Sequence, residues 1–161
     1  LFYQKNLKRS YEEFTLARTI SKNHPYIEFM IGFHFCLMNK WEEGLPLAQK
    51  VMSLASSYPS WYHMALFLDY YRREKYEDAL SEAQQIISTD IVYDSLVRCV
   101  AHAQLGEQHE ARQEFQEILR RNPNFMETGK LYLNRFLGSG ILADKIWDGV
   151  LKTSKGSKQS F

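Results

Sequence analysis

The most informative stretch of the sequence is Ala111-Arg112-Gln113-Glu114-Phe115-Gln116-Glu117-Ile118, which closes on Asn122-Pro123. Its small, aromatic and aliphatic residues follow one another at spacings of four and three, the spacing of one face of an α-helix. Proline after such a run is typical of a helix end, because proline lacks the backbone N–H that a helix interior needs. The stretch therefore predicts an amphipathic helix that ends near Asn122.

The same pattern recurs along the chain. Each copy has one small residue after a polar turn, at Ser10, Gly44, Ala79 and Ala111. Gly44 lies 34 positions after Ser10, Ala79 lies 35 after Gly44, and Ala111 lies 32 after Ala79. A second amphipathic stretch precedes these residues, and Gly106 supplies a turn glycine in the last copy. Each unit is therefore predicted to be a helix, a tight turn and a second helix.

The period near 34 and the order Ala, three residues, Phe, two residues, apolar residue resemble tetratricopeptide (TPR) repeats, with residues 111–118 as the best match. The small residue is needed where the two helices of a hairpin cross closely. The first helix departs from the family pattern, because Glu28, His63 and Ser95 stand where Trp is usual. The resemblance implies an all-α fold, a right-handed TPR superhelix, and the apolar pattern after Pro123 adds a C-terminal helical cap.

We expect six segments along the chain. They are the second half of a truncated first TPR at 1–24, complete TPRs at 25–59, 60–91 and 92–125, C-terminal capping helices at 126–152, and a flexible tail at 153–161. A stack whose first repeat lacks one helix leaves apolar surface open, because each repeat buries its faces only against its neighbours. We therefore expect more repeats or another domain upstream of Leu1 in the intact protein.

A narrower resemblance involves Tyr58-Pro59-Ser60-Trp61-Tyr62-His63, its continuation to Arg73, and the closing stretch 147–152. These stretches resemble the C-terminal repeat region of bacterial TPR-containing adenylate or guanylate cyclases and winged-helix transcription regulators. The resemblance covers residues 25–152 and departs at Thr153-Ser154, where such tails more often carry Ala-Gly. It implies a regulatory part of a longer signalling protein, whose active domain lies upstream.

The composition of the chain argues against binding to nucleic acid and against a membrane span. Lys and Arg number 20 against 19 Asp and Glu, so the segment has no basic field to attract nucleic acid. No apolar run reaches the roughly 20 residues of a membrane span. The two cysteines, Cys36 and Cys99, lie far apart in apolar surroundings, which favours reduced thiols and a cytoplasmic location.

No catalytic or metal-binding constellation is recognised in the sequence. His34 and Cys36 are two positions apart and point to different sides of a helix, and no helical HxxxH or CxxC spacing exists. No glycine-rich phosphate loop or nucleophile motif is found either. We predict a protein without cofactor that is not an enzyme.

The predicted binding site is the inward side of each first helix, which lines the groove of a TPR superhelix. By register this side contains Tyr26, Phe29, Phe33, Leu37, Trp61, Met64, Leu68, Tyr71, Arg72, Tyr93, Leu96, Val100 and Gln104. TPRs that clamp a C-terminal carboxylate carry Lys, Asn and Arg on this face, whereas Phe29, Phe33, Met64 and Leu68 stand here, so a clamp is disfavoured. Packing between repeats is the alternative role for many of these side chains, with Trp61 and Tyr71 the strongest binding candidates.

The sequence therefore predicts a protein interaction or scaffolding module. Its aromatic groove is expected to bind a peptide or an amphipathic helix of a partner, or an upstream domain of the same chain. The alternative is a sensory or oligomerisation segment of a nucleotide cyclase or transcription regulator, and a homodimer also stays open.

Overall fold

The computed structural model describes residues 5–21, 24–88, 92–138 and 140–156, and all regular structure in these ranges is helical. The prediction of an all-α fold is confirmed. The helices are α1 Leu7–Ile20, α2 Pro25–Leu37, α3 Trp41–Leu54, α4 His63–Arg72, α5 Tyr76–Gln85, α6 Tyr93–Leu105, α7 Gln108–Arg121, α8 Phe125–Phe136 and α9 Gly140–Gly156. A short 3-10 turn, Ser60–Tyr62, leads into α4.

Three antiparallel hairpins, α2/α3, α4/α5 and α6/α7, form the body of the molecule, and α1 packs against α2. The four small residues of the sequence pattern, Ser10, Gly44, Ala79 and Ala111, are each the fourth residue of α1, α3, α5 and α7, and each is buried. In the first hairpin, a Cβ on Gly32 would lie 2.8 Å from the carbonyl oxygen of Gly44. The helices thus cross at a distance that only small residues allow.

The backbone conformation of the turns repeats along the chain together with the small residues. Positive φ angles among the described residues occur at Lys5 (61°), Asn39 (65°), Glu74 (63°) and Gly106 (81°). Each lies five residues before the small residue of its unit, in the turn that precedes α1, α3, α5 or α7. One left-handed residue reverses the chain tightly enough for the next helix to pack back on the previous one. Because Lys5 holds the equivalent position before α1, α1 begins in the same way as the second helix of each hairpin.

The first helices of the hairpins are α2, α4 and α6, and α9 packs on both helices of the last hairpin, α6 and α7. The side of α2, α4 and α6 on which α8 and α9 lie is called the inner face below. Its residues are Phe33, Leu37, Met64, Leu68, Tyr71, Tyr93, Leu96, Val100 and Gln104.

Helix α9 is longer than the sequence analysis expects. The predicted tail begins at Thr153, but α9 continues to Gly156, so residues 153–156 are helical. The Thr153 hydroxyl donates to the Gly149 carbonyl at 3.3 Å and accepts from the Cys99 thiol at 3.7 Å, so this polar side chain is satisfied while fully buried. The rest of the predicted tail, 157–161, lies outside the described residues.

Candidate partner-binding face

Most of the predicted groove residues are buried. Phe29, Phe33, Leu37, Met64, Leu68, Tyr71, Leu96 and Val100 are all less than a tenth exposed. The expectation of a broadly exposed aromatic groove is therefore not met in this conformation. The C-terminal helices, which the sequence predicts to be a cap, cover some of these residues, such as Phe33 and Tyr71, and packing between hairpins covers others, such as Phe29.

Helix α8 covers the middle of the inner face with its C-terminal half. The Phe136 ring lies 6.1 Å from Phe33 of α2 and 5.3 Å from Tyr93 of α6, measured between ring centroids. Leu133 and Leu137 face the same layer, and the cavity that remains between them and the inner face measures only about 20 Å³. Helix α8 thus contacts α2 and α6 through the Phe136 ring.

The turn between α8 and α9 is anchored by backbone contacts. The N–H of Gly138 donates to the Leu37 carbonyl at the end of α2, at 2.9 Å, and the Lys5 ammonium donates to the Leu137 carbonyl at 2.5 Å. A Cβ on Gly138 would overlap the Leu37 carbonyl, so this position requires glycine. Two unpaired helix-end carbonyls are satisfied in this way.

Helix α9 packs on α6, α7 and α8 through buried apolar residues such as Ile146 and Val150, and polar contacts join it to the end of α4. The Lys145 ammonium reaches the Glu74 carboxylate at 2.9 Å and the Arg72 carbonyl at 3.4 Å. One and two turns further along α9, Gly149 and Lys152 lie against the inner face. The Lys145 ammonium of α9 lies beside the C-terminus of α4, where the helix dipole favours a positive charge.

Tyr71 is at the centre of these contacts. Its hydroxyl accepts from the Gln104 amide at 3.0 Å and donates to the Lys145 carbonyl at 3.4 Å, and the Gln104 amide oxygen accepts from Lys152 at 2.5 Å. Burial raises the pKa of Tyr71, an effect that the hydrogen bond from Gln104 opposes. The hydroxyl therefore stays protonated at neutral pH and can donate to α9.

Gly149 allows α9 to approach the inner face. A Cβ at this position would lie 2.9 Å from the Tyr71 hydroxyl oxygen and 2.9 Å from the Val100 Cβ. Such distances are shorter than van der Waals contact, so a side chain here would push α9 away from α4 and α6. Gly140, at the start of the same helix, has open space around its Cβ position.

Part of the inner face remains accessible beside α8. Trp61, Phe33, Phe136 and Tyr93 form a continuous row of rings, the aromatic row, with successive centroids 5.9, 6.1 and 5.3 Å apart. Trp61, Phe136 and Tyr93 are each partly exposed. These separations are typical of favourable aromatic contacts.

The aromatic row ends in an open cleft of about 340 Å³ between α6, the end of α7 and α8. Its walls are apolar and aromatic, with one guanidinium at the edge, and are formed by Val92, Tyr93, Leu96, Arg121, Asn122, Phe125, Gly129, Tyr132 and Leu133. Tyr132 is half exposed at the mouth. This volume is within the range of ligand pockets in proteins.

The remaining predicted groove residues have separate environments. Tyr26 is 52% exposed at the start of α2 and belongs to neither the aromatic row nor the cleft. Phe29 packs on Tyr62 with centroids 3.4 Å apart. Arg72 pairs with Asp69 at 2.6 Å and lies over the Trp41 ring at 4.4 Å, so its side chain joins two hairpins. Phe29 and Arg72 thus pack between neighbouring parts of the chain, which is the alternative role given above for the predicted groove residues.

Four residues of this site, Tyr132, Phe136, Lys145 and Lys152, are not among the predicted groove residues. The sequence does show the apolar periodicity of α8 and α9, but periodicity alone does not say which surface a helix covers. The signal that could have found them is the Gly138-Ser139-Gly140 break, which allows the chain to fold back.

Both thiols are buried. Burial, with a smaller effect of the Asp69 carboxylate, raises the pKa of Cys36 to about 12, and burial likewise raises the pKa of Cys99 to about 12. The thiolate is the nucleophilic form of cysteine, so neither residue is activated at neutral pH.

Within the described ranges, no group of three or more His, Cys, Asp or Glu residues is arranged to hold a metal ion. The absence of a metal requirement remains a prediction from the sequence. None of the helices in the described part of the chain is both long enough and apolar enough to cross a bilayer.

No family model matches this sequence, and no curated protein or solved structure is significantly similar to it.

Proposed function

We propose that this chain is a TPR-type protein interaction module whose inner face binds an amphipathic α-helix. The observation that carries the proposal is the position of the chain's own helices α8 and α9. They lie on the inner face and contact it through Phe136, Lys145 and Gly149. A surface that accommodates one amphipathic helix has the shape and chemistry to accommodate another.

The repeated geometry supports the TPR assignment and a right-handed superhelix. A left-handed residue, four further positions and a buried small residue recur before and within α1, α3, α5 and α7. A similar transformation from each hairpin to the next is the basis of a solenoid. Kinship with the repeat regions of bacterial cyclases and transcription regulators is part of this proposal and rests on the sequence resemblance.

The aromatic row supports recognition of a polypeptide rather than of nucleic acid. Partly exposed Trp and Tyr side chains are typical binding hot spots, because they bury a large apolar area and keep a polar tip for hydrogen bonding. The nearly balanced charge provides little attraction for phosphate backbones. Two buried, unpaired thiols fit a cytoplasmic location.

Site-specific photo-crosslinking tests this function. Benzoylphenylalanine replaces Trp61 or Tyr132 on the binding side, and the control carries it at Gln116, which is exposed on α7. We expect the two binding-side positions to crosslink the same cellular protein, and mass spectrometry of the crosslinked peptide to identify an amphipathic helix. Crosslinks of the same protein in equal yield from Gln116, or none from either binding-side position, would contradict the proposal.

A further inference from the structure

We propose that the cleft between α6, the end of α7 and α8 is an anchor pocket for one aromatic side chain, Trp or Tyr, of the polypeptide that the inner face binds. The inference rests on the proposed function and adds the residue type by which the partner is recognised. The reason lies in how consecutive hairpins pack on each other, and in the point at which this packing pattern stops.

Between the first two hairpins, an aromatic ring at the start of one hairpin covers the first helix of the hairpin before it. The Trp61 ring, just before α4, lies 5.2 Å from the Phe29 ring and 5.9 Å from the Phe33 ring of α2, measured between centroids. Both contacts are edge-on, an arrangement that aromatic pairs favour. Phe29 and Phe33 are both buried. An aromatic residue of the second hairpin thus fills the boundary with the first.

The same arrangement recurs between the second and third hairpins. Tyr93 begins α6 and stands 32 positions after Trp61. Tyr93, Met64 and Leu68 line one gap between the hairpins, and this gap measures only about 20 Å³. Met64 and Leu68 are the counterparts on α4 of the two phenylalanines of α2, because each lies 35 positions after one of them. An aromatic residue therefore fills the second boundary as well.

Beyond the third hairpin this packing stops. Phe125 is the next aromatic residue in the series, because it lies 32 positions after Tyr93 and two after a proline, like the ring of the first boundary. Its ring, however, packs on the Trp147 ring of α9, with centroids 5.9 Å apart. Phe125 on α8 and Leu96, the equivalent apolar position on α6, both line the cleft. The cleft is thus the space in which the next ring of the series would lie.

The size and charge of the cleft suit one neutral aromatic side chain. Its volume of about 340 Å³ is near the lower end of the range for ligand pockets, about 300–1,000 Å³, which favours a single side chain over a whole helix. Arg121 at its edge is paired with Asp94 at 2.9 Å and with Glu117 at 2.7 Å, so its charge is compensated and does not select an anion. A paired guanidinium still stacks well on an aromatic ring.

A polar group beside the guanidinium favours Trp and Tyr over Phe. Asn122 also lines the cleft, and its amide oxygen can accept the N–H of an indole or the O–H of a phenol. Aromatic residues with such a polar tip are typical binding hot spots.

An NMR titration with capped amino acids measures the preference of the cleft. The isotope-labelled full chain is titrated with N-acetyl-tryptophan amide, and the comparison probe is N-acetyl-leucine amide. The amide signal of Gly129, which lines the cleft, reports binding, and that of Gly106, in the turn before α7, is the remote reference. We expect the tryptophan probe to shift the Gly129 signal saturably, and to bind at least about fivefold more tightly than the leucine probe.

Two variants and one matched control locate the binding. Tyr132→Ala removes a cleft residue that is 51% exposed, and the control Tyr26→Ala removes an equally exposed tyrosine, at 52%, that lies outside the cleft. Val92→Trp instead adds a large ring to the wall of the cleft. We expect Tyr132→Ala and Val92→Trp each to weaken binding of the tryptophan probe at least about fivefold, which corresponds to about 1 kcal/mol, and Tyr26→Ala to leave it unchanged.

Circular dichroism establishes that the variants stay helical, and since either cleft variant tests the site by itself, a folding defect in one leaves the other decisive. Equal affinity for the two probes would overturn the proposal. A larger shift at Gly106 than at Gly129, or unchanged affinity in the folded cleft variants, would overturn it as well.

Photo-crosslinking separates this inference from the proposed function. Benzoylphenylalanine in place of Tyr132 lies at the mouth of the cleft, and we expect the linked peptide of the partner to carry Trp or Tyr within one helical turn of the linked residue. A partner captured from both binding-side positions without Trp or Tyr there would keep the module function and overturn the anchor pocket. Binding of the tryptophan probe without any captured partner would reject the proposed function, and with it the assignment of the bound ring to a polypeptide.

Discussion

The three hairpins and the C-terminal helices α8 and α9 are held in place in different ways. Within the hairpins, helices that are neighbours in sequence cross at small residues such as Gly44 and Ala79 and are joined by tight turns. Helices α8 and α9 pack on each other and also contact residues far away in the sequence, and part of this contact is polar: Lys145 and the Arg72 carbonyl are 73 positions apart. The hairpins thus depend on local contacts, whereas α8 and α9 complete the same hydrophobic core through contacts between residues that are distant in the sequence.

The strongest test of this difference uses two buried isoleucines, Ile118 of α7 at 0% exposure and Ile146 of α9 at 3%. Replacing either isoleucine with alanine removes buried apolar contacts and should lower the free energy of unfolding of the region that contains it by about 2–5 kcal/mol. In native-state hydrogen exchange, Ile118→Ala should reduce protection throughout α2–α7. Ile146→Ala should reduce protection in α9 and leave the hairpins unchanged. Identical protection profiles for the two variants would remove the distinction between the two regions.

The next test concerns the small residues of the hairpins. Ala79→Leu and Ala111→Leu should each lower the free energy of unfolding by about 1–3 kcal/mol, because both alanines are fully buried where helices cross. Urea unfolding followed by circular dichroism measures the change. Gln84→Ala, on the exposed side of α5, is the control and should leave the midpoint unchanged. Unchanged midpoints for both leucine variants would show that the helix register is misplaced.

A smaller effect is expected in the turns. Gly106 has a φ of 81° and no atom near its Cβ position, so Gly106→Ala has a purely conformational cost of about 1–2 kcal/mol. Gly140→Ala provides the comparison in the C-terminal region, since its Cβ position is also open, and it should change stability little. A thermal melt of both variants measures the difference. Equal melting temperatures would mean that the left-handed turn does not contribute to hairpin stability.

The smallest effect is expected from pH. Burial lowers the pKa of His34, which lies between the rings of Phe14 and Phe33, while the hydrogen bond to the Met30 carbonyl opposes this shift. The unfolded chain therefore takes up a proton more readily, and stability should fall as the pH drops through the ordinary histidine range, from about 7.5 to about 5.5.

His34→Gln should lose less stability than the wild type over this interval, as measured by urea unfolding at both pH values. The contact between α4 and α9 should not respond. The hydrogen bond from Lys145 lowers the pKa of Glu74, so this carboxylate stays ionised throughout the interval. An equal pH dependence in the variant and the wild type would show that His34 is not the group responsible.

The sequence predicts the hairpins well because the information that specifies them is local. A small residue four positions into a helix and a turn five residues before it are properties of adjacent residues, as at Gly106 and Ala111. The all-α class follows directly from these patterns. Even the departures from the family pattern, such as His63 and Ser95, do not prevent α4 and α6 from forming, since their apolar faces are retained.

The position of α8 and α9 is not predictable in the same way. The apolar faces of the two helices are visible in the sequence, but the contact of Gly149 with Tyr71 and Val100 depends on geometry between distant residues. For this reason the burial of Phe33 and Tyr71 is missed. Sequence periodicity identifies which side of a helix is apolar, and only the assembled structure shows what covers it.

The sequence distance between Lys145 and the end of α4 has a consequence for how the chain is made. Contacts between neighbouring helices form quickly, whereas contacts across long loops wait for the distant segment. At a synthesis rate of about 5–20 residues per second, the 73 positions between Arg72 and Lys145 take about 4–15 s to add. During that interval α2 and α4 have left the ribosome and α9 has not. We therefore expect a period in each round of translation when the hairpins have formed and the apolar residues that α9 covers are still exposed to solvent.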